Sequence, residues 1–157
     1  MLINFVLSQP DNEVKGLLEQ INEVPVESSL RDITEGYAMA YKIKSGSRLL
    51  GLEVCRIDVS HWGKRELVIL RCVKARDYDL KTNFFDVLDL GEIELCKVWD
   101  CEIVRRHIDR AGMLPALEKY GYLVTEIVLK RRIKKWVAVD RRAVLLLQAA
   151  RQTRIRE

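Results

Sequence analysis

Hydrophobic positions in the first part of the chain follow two periods, and each period predicts a different element. Leu2–Leu7 is a short, β-prone apolar run that stops before Pro10, which predicts a strand. From Asn12 to Glu23 apolar residues recur every three or four positions, which predicts an amphipathic helix. Asp11 or Asn12 would cap the N-terminus of that helix.

The next segment predicts a short helix followed by three antiparallel strands. Ser28 or Ser29 would cap the helix, and Gly36 would end it. Alternating apolar and polar residues, with glycine-containing turns between the runs, then predict strands that are joined by hairpins. These strands are Tyr37–Lys44, Leu49–Val59 and Leu67–Val73.

Beyond the third of these strands the helical period returns. Apolar side chains share one face from Thr82 to Trp99, which predicts a long helix with Thr82 or Asn83 as its cap. Gly91, in the middle of this helix, costs roughly 1 kcal/mol relative to alanine. Glu102–Ile108 predicts a further strand, and a short helix should follow and end at Gly121.

The C-terminal part predicts a strand from Leu123 to Ile133, which Trp136–Val139 continues or pairs with. A helix from Arg141 to Arg154 should follow. The chain contains no repeat, low-complexity tract or flexible linker. We therefore predict one α/β domain from residue 1 to 133 and a basic strand and helix extension from 134 to 157.

Composition supports a folded chain in a reducing compartment. With 157 residues, 48% hydrophobic and 32% charged, the chain fits one self-supporting domain. No apolar run approaches the ~20 residues that span a bilayer, and Met1–Pro10 lacks the basic start of a signal peptide. The four cysteines form no C-x-x-C pair, which favours buried thiols over a zinc site. These features predict a cytoplasmic protein without a transmembrane segment.

Charge is unevenly distributed along the chain. The segment from Lys130 to Glu157 has ten basic and two acidic residues, a net charge of +8, which leaves −4 for the rest of the chain. This asymmetry favours an anionic partner, although a solvated charged face explains it equally well. The candidate contacts with nucleic acid or partner subunits are Lys130, Arg131, Arg132, Lys134, Lys135, Trp136, Arg141, Arg142, Arg151 and Arg154.

One segment resembles a known family. The run Ala116-Leu117-Glu118-Lys119-Tyr120-Gly121-Tyr122 is similar to L-Y-E-K-L-G-F, with which the last helix of GNAT acetyltransferases turns into the next strand. The order of elements up to Lys130 is also similar. The resemblance implies an α/β (α+β) fold, with a mixed, mostly antiparallel central sheet flanked by helices, to which this chain adds a basic C-terminal helix. It also implies N-acyl transfer from acetyl-CoA.

The loop that binds the cofactor in that superfamily differs here. GNAT enzymes carry Q/R-x-x-G-x-G/A, and the glycines let backbone N–H groups approach the pyrophosphate. The corresponding stretch of this chain has no glycine. If acyl-CoA binds, Lys74, Arg76 and Lys81 would meet its phosphates as point charges, in a loop that they share with Asp77 and Asp79.

Two further positions depart from the family pattern. The tyrosine that often protonates the departing thiolate falls at Leu117, and a leucine cannot act as an acid. The asparagine that usually opens this helix falls near Arg110. Acetyl transfer by the usual route is therefore disfavoured, and catalysis would need a differently built site.

Other catalytic patterns are weaker still. Neither His61 nor His107 has a recognisable nucleophile and orienting group beside it, so a triad is not supported. A dense acidic group is more typical of a solvated helix start than of a Mg²⁺ site. It comprises Asp77, Asp79, Asp86 and Asp89. We therefore predict no metal site and no catalytic residue.

The sequence thus favours a non-catalytic interaction protein on a GNAT-like scaffold, without a cofactor. By analogy with degenerate GNAT-like domains of phage particles, it would be a virion or virion-associated component, found in the cytoplasm or in a virion assembled in the host cytoplasm. Its basic segment would bind neighbouring subunits of an assembly or homo-oligomer, or nucleic acid. The alternative is an N-acyltransferase that uses acetyl-CoA with an atypical cofactor loop. A non-specific nucleic-acid binder or nuclease is the second alternative.

Overall fold

The structure, a computed structural model, describes residues 2–21, 25–106 and 113–123. A first compact unit ends at Gly121, and a second begins at Tyr122. The strand predicted to end at Ile133, the basic helix and all ten candidate contact residues of the basic segment lie outside the described residues. The predicted boundary at residue 133 and the roles of that segment stay predictions.

The described strands form one sheet in the order β1-β2-β3-β4-β5. Neighbouring strands are antiparallel from β1 to β4, and β5 runs parallel to β4. The strands are β1 (Ile3–Ser8), β2 (Met39–Ser45), β3 (Arg48–Val59), β4 (Arg65–Lys74) and β5 (Ile103–Arg106). The predicted mixed, mostly antiparallel sheet is confirmed.

Helices cover both faces of this sheet. Because side chains alternate across a strand, Ala40 joins the apolar cluster under α1 and α2, whereas Tyr41 joins one under α3. No helix of the described part is long and apolar enough to cross a membrane. The helices are α1 (Asn12–Leu18), α2 (Val26–Thr34), α3 (Phe84–Trp99) and α4 (Leu114–Glu118).

Lys42 ties the start of α1 to β2. Its side chain is only 7% exposed and pairs with the carboxylates of Asp11 and Glu13. Burial alone would lower the pKa of Lys42, but the hydrogen bonds to both carboxylates outweigh it and raise that pKa. Asp11 also caps α1, as predicted, whereas the helix ends at Leu18, short of its predicted end.

The start of α2 was predicted wrongly. Ser28 and Ser29 lie inside the helix, and Pro25 occupies the N-cap without a side-chain hydrogen bond. Proline suits the start of a helix because its φ is fixed near the helical value and it has no N–H to leave unpaired. Hydroxyl side chains are therefore not needed at this helix start.

Contacts at two positions, the N-cap and the middle of the helix, fix α3. The predicted cap Asn83 is confirmed, since its Oδ1 accepts a hydrogen bond from the N–H of Phe85 at 3.0 Å. Gly91 lies against β1, where an added Cβ would be 2.0 Å from the Phe5 ring. The glycine that weakens the helix therefore allows the helix to approach the sheet.

Candidate functional site

Strand β4 extends beyond the last residue of β5 with which it pairs. Pairing with β5 reaches only to Ile69, and the rest of β4 has no β5 partner among the described residues. At the same point Val54 pairs with Arg71 while Cys55 pairs with Ile69, so Leu70 is the extra residue of a β-bulge. A bulge bends its strand, so β4 changes direction where its described pairing with β5 ends. Backbone groups on this outer edge of β4 could hydrogen-bond a ligand.

The loop from Ala75 to Asn83 continues from β4 and is held together by Tyr78. The N–H of Tyr78 donates to the carbonyl of Ala75 at 3.1 Å, and its hydroxyl donates to the carbonyl of Thr82 at 2.8 Å. The Tyr78 ring also packs edge-on against Phe84, with 5.3 Å between ring centroids. An aromatic side chain thus supports a loop that in GNAT enzymes depends on glycine.

Arg48 pairs with one of the two acids of this loop. Its guanidinium forms an ion pair with the Asp79 carboxylate and donates to the backbone carbonyl of Asp77. The charge of Asp79 is thereby offset by Arg48. This arrangement favours an excess of positive charge beside the start of α3.

An open depression of about 500 Å³ lies at that helix start. Of the three cofactor-binding candidates, Lys74 and Lys81 line it, and Arg76 is not among the lining residues. The lining is completed by Tyr78, Leu80, Thr82, Asn83, Phe84 and Phe85. Two of the three candidates are therefore brought together at a helix N-terminus, where the helix dipole also favours anions.

Gly51 of β3 sets how closely the start of α3 approaches the sheet. An added Cβ at Gly51 would lie 2.7 Å from Cζ of Phe84 and 2.5 Å from the carbonyl oxygen of Val73. Both distances are shorter than real contacts allow. The first residue of α3 thus rests directly on a glycine in the middle of the sheet.

The position at which the resemblance implies a proton donor is apolar. Leu117 of α4 is only 4% exposed. Tyr120 lies nearby in sequence, but its hydroxyl donates to Oδ1 of Asp86 at 2.6 Å. That hydrogen bond raises the pKa of Tyr120. His107 and Arg110 lie outside the described residues, and His61 is exposed in the turn between β3 and β4.

The acidic group does not assemble into a metal site. Asp79 faces Arg48, and Asp86 accepts the Tyr120 hydroxyl. Within the ranges that the structure describes, no three His, Cys, Asp or Glu side chains are grouped so that they could hold a metal ion.

Sequence reasoning missed three charged side chains that are buried near the point where the described pairing of β4 with β5 ends. Glu53 of β3 is 0% exposed, Glu92 of α3 is 3% exposed, and the side chain of Arg106, the last residue of β5, is 6% exposed. The Arg106 guanidinium donates to the Glu92 carboxylate, and its Nη2 lies 3.8 Å from Oε2 of Glu53. We call these three residues the buried cluster. An isolated acid within the apolar run of β3 was the signal that could have revealed it.

The buried cluster has perturbed electrostatics. Burial raises the pKa of Glu53 well above its usual value, the charge of Glu92 raises it further, and Arg106 opposes both. Cys72, the cross-strand neighbour of Glu53, has its pKa raised to about 12 by burial and then by the Glu53 charge. Burial therefore favours the protonated form of Glu53 more than it would in an exposed glutamate.

No protein-family model and no curated protein matches this chain. Solved structures do match it. A putative acetyl transferase from Pyrococcus furiosus superposes with a TM-score of 0.63 at 15% identity, covering 84% of this chain and 100% of that one. A ribosomal-protein-alanine N-acetyltransferase from Brucella melitensis biovar Abortus 2308 gives 0.66 at 13% identity, covering 84% and 99%. A predicted acetyltransferase from Clostridium acetobutylicum, solved with acetyl-CoA, gives 0.59 at 10% identity, covering 83% and 96%.

The chain has the GNAT acetyltransferase fold. The predicted fold is thereby confirmed, while identities of this size leave the activity open. If an acyl-CoA were the ligand, Lys74, Lys81 and the start of α3 are the described groups at the depression that could meet its phosphates. The loop closed by Tyr78 does not provide a glycine cradle, so the phosphates would be held mainly by charge.

Proposed function

We propose that this protein is an acyl-CoA-dependent N-acyltransferase with an atypical cofactor loop. One observation carries the proposal: the outer edge of β4 beyond Ile69 ends at the basic depression. Lys74 is both the last residue of β4 and part of the lining of the depression, which Lys81 also lines. A ligand with an extended polar arm and a polyanionic end matches this path.

Different groups of the chain would bind different parts of the ligand along this path. Backbone groups of β4 beyond Ile69 would hydrogen-bond the extended arm as a neighbouring strand would. Lys74, Lys81 and the N–H groups at the start of α3 would hold the phosphates. Bound acyl-CoA supplies an acyl group as a thioester, and the paired stretch of β4 and β5 that ends at Arg106 would exclude water from it.

An interaction protein without catalytic activity, built on the same scaffold, is the second candidate. Two observations favour it: Leu117 is buried where a proton-donating tyrosine is expected, and the cofactor loop is closed by Tyr78. A virion role, and binding of subunits or nucleic acid through the basic segment, remain predictions that were made from the sequence.

Calorimetric titration with CoA and acetyl-CoA separates the two candidates. We expect micromolar binding by the wild type and a loss of at least about 100-fold in K74E/K81E, because each of the two charged contacts contributes ~1.5–3 kcal/mol and ~1.4 kcal/mol is a factor of ten. The matched control is K15E/K97E, which makes the same change of charge at exposed lysines that are paired with Glu19 and Glu94. Equal losses in both double variants would show non-specific attraction, and absence of binding by the wild type would favour the interaction protein.

Turnover is then measured as release of free CoA thiol in the presence of a panel of primary amines. The proposed function requires release that depends on both the amine and the acyl-CoA. An active wild type together with an inactive but folded K74E/K81E variant would support the assignment of the depression as the phosphate site.

A further inference from the structure

The outer face of α3 carries apolar side chains where a surface helix normally carries polar ones. Its inner face packs on the sheet through Val87, Leu88 and Leu95, all of which are buried. Away from that face, Leu90 is 65% exposed and Ile93 is 46% exposed. The outer side of a surface helix is usually polar, and exposed apolar residues that adjoin one another are typical of a contact surface. Leu90 and Ile93 therefore mark a candidate contact surface on α3.

Four exposed residues of α3 form one line along this face. They are spaced four, three and four residues apart, as are the a and d positions along the contact line of a coiled coil. This spacing brings their side chains onto one stripe of the helix surface. We call them the outer stripe: Asp86, Leu90, Ile93 and Lys97. The outer stripe has an apolar middle and two ends of opposite charge.

The outer stripe is complementary to itself when it is turned end for end. Its midpoint lies between Leu90 and Ile93, and Asp86 and Lys97 lie equally far from that point, at about 8 Å along the helix axis. An antiparallel pair of α3 helices, related by a two-fold axis at the midpoint, places Leu90 opposite the partner's Ile93. The same axis places Asp86 opposite the partner's Lys97. A parallel pair would set each charge against its own copy, so the charges favour the antiparallel arrangement.

Both charged ends of the outer stripe can take a contact from outside. The Lys97 side chain is 66% exposed and pairs with Glu94 of the same helix at 2.6 Å. An ammonium group has three donors, so Lys97 can bind a second carboxylate while it keeps Glu94. The Tyr120 hydroxyl donates to Oδ1 of Asp86, and a carboxylate can accept further hydrogen bonds at its other oxygen. These ion pairs and hydrogen bonds therefore persist when two copies meet.

We propose that the outer stripe is a dimerisation surface and that its occupant is the outer stripe of a second copy of this chain. The interface is isologous, with Leu90 and Ile93 at its centre and one ion pair between Asp86 and the partner's Lys97 at each end. One helix from each copy forms a small interface, so the dimer is weak and its population depends on concentration. The inference goes beyond the proposed acyl transfer and does not rest on it.

Sedimentation velocity of the full chain, from about 1 μM to about 1 mM, tests the surface. We expect the mass to rise from 18.3 kDa towards twice that value. Leu90→Glu should stay monomeric throughout, because it puts a charge into the apolar middle, and Ile93→Glu is the second variant. Val59→Glu is the control, since it makes the same kind of change at a residue of β3 that is 68% exposed. A monomeric wild type, or dimers of Leu90→Glu and Ile93→Glu like those of the wild type, would overturn the proposal.

A charge swap tests the antiparallel register. Asp86→Lys alone and Lys97→Asp alone each set like charges against one another at both ends of the interface. Each should therefore raise the Kd of the dimer roughly tenfold. The double variant Asp86→Lys/Lys97→Asp restores opposite charges at both ends and should return the Kd to within about threefold of the wild-type value. Losses that add in the double variant would show that the two positions do not face each other, and the proposal would then be wrong.

Failure of this inference is distinguishable from failure of the proposed function, because the dimer is measured without a ligand. A chain that binds CoA and releases thiol but stays monomeric overturns the inference alone. A chain that dimerises through the outer stripe but does not bind CoA overturns the proposed function alone.

Discussion

Replacing Gly91 with alanine tests how α3 packs on β1. Helix propensity alone predicts a gain of ~1 kcal/mol, since glycine is the poorer helix former. The new Cβ would, however, lie 2.0 Å from Cε2 and Cζ of Phe5, far inside the ~3.5–4.0 Å at which carbon atoms normally meet. Overpacking of a core costs about 1–3 kcal/mol, and so short a contact belongs at the upper end. We therefore expect a net loss of roughly 2 kcal/mol in the free energy of unfolding.

Urea denaturation followed by circular dichroism measures this change. Gly16→Ala is the matched control, because an added Cβ at Gly16 of α1 would meet no atom within 4 Å. It should gain up to ~1 kcal/mol. If Phe5 causes the loss, Phe5→Leu/Gly91→Ala should be at least as stable as Phe5→Leu. A Gly91→Ala variant that is stabilised like Gly16→Ala would refute the packing argument.

Three further predictions concern charge and capping. Burial raises the native pKa of Glu53 well above its ordinary value of 4.5, so the native state keeps a proton on Glu53 at pH values at which the unfolded chain loses it. Wild-type stability should therefore fall with rising pH above about 5, by up to ~1.4 kcal/mol per pH unit until Glu53 ionises, whereas Glu53→Gln should be flat in denaturation curves at each pH. Hydrogen bonds from Lys42 lower the pKa values of Asp11 and Glu13 in the folded protein. The two ionised carboxylates therefore contribute their full stability at a pH above their pKa values in the unfolded chain, and this stability is lost as the pH falls through their pKa values in the folded protein. Lys42→Met should raise both pKa values in a carboxyl-resolved NMR titration, and unchanged values would contradict the pairing. Asn83→Ala should cost ~1 kcal/mol in urea denaturation through loss of the cap of α3, and an unchanged midpoint would show that this cap is dispensable.

Much of the fold could be predicted because its signals are local. Alternation of apolar and polar residues predicted the strands. Asn83 predicted the start of α3, because a side-chain oxygen can accept a hydrogen bond from a free N–H at a helix start. The glycines of the tight turns have positive φ, as at Gly46, where other residues would be strained. The order of β2, β3 and β4 follows from the hairpins between them, whereas β1 and β5 reach the sheet edges through helical connections.

The candidate site was harder to predict because its signals are not local. Leu70 is an ordinary strand residue, and only its pairing shows that it is the extra residue of a bulge. Glu53, Glu92 and Arg106 lie far apart in the sequence, so their meeting depends on the complete tertiary fold. Lys74 and Lys81 could be named in advance because both belong to one loop, whereas the neutralisation of Asp79 by Arg48 could not.

The contact between Gly51 and Phe84 couples the middle of the sheet to the proposed phosphate site. Because the first residue of α3 packs directly against Gly51, a side chain at position 51 would have to displace Phe84 or the backbone of β4, and the start of α3 would move with it. A selection for altered acyl-donor preference should therefore recover substitutions at Gly51, a residue that does not line the depression. In evolutionary terms, substitutions in the middle of the sheet could change the dimensions of the proposed ligand path, as could substitutions of the residues that would touch the ligand.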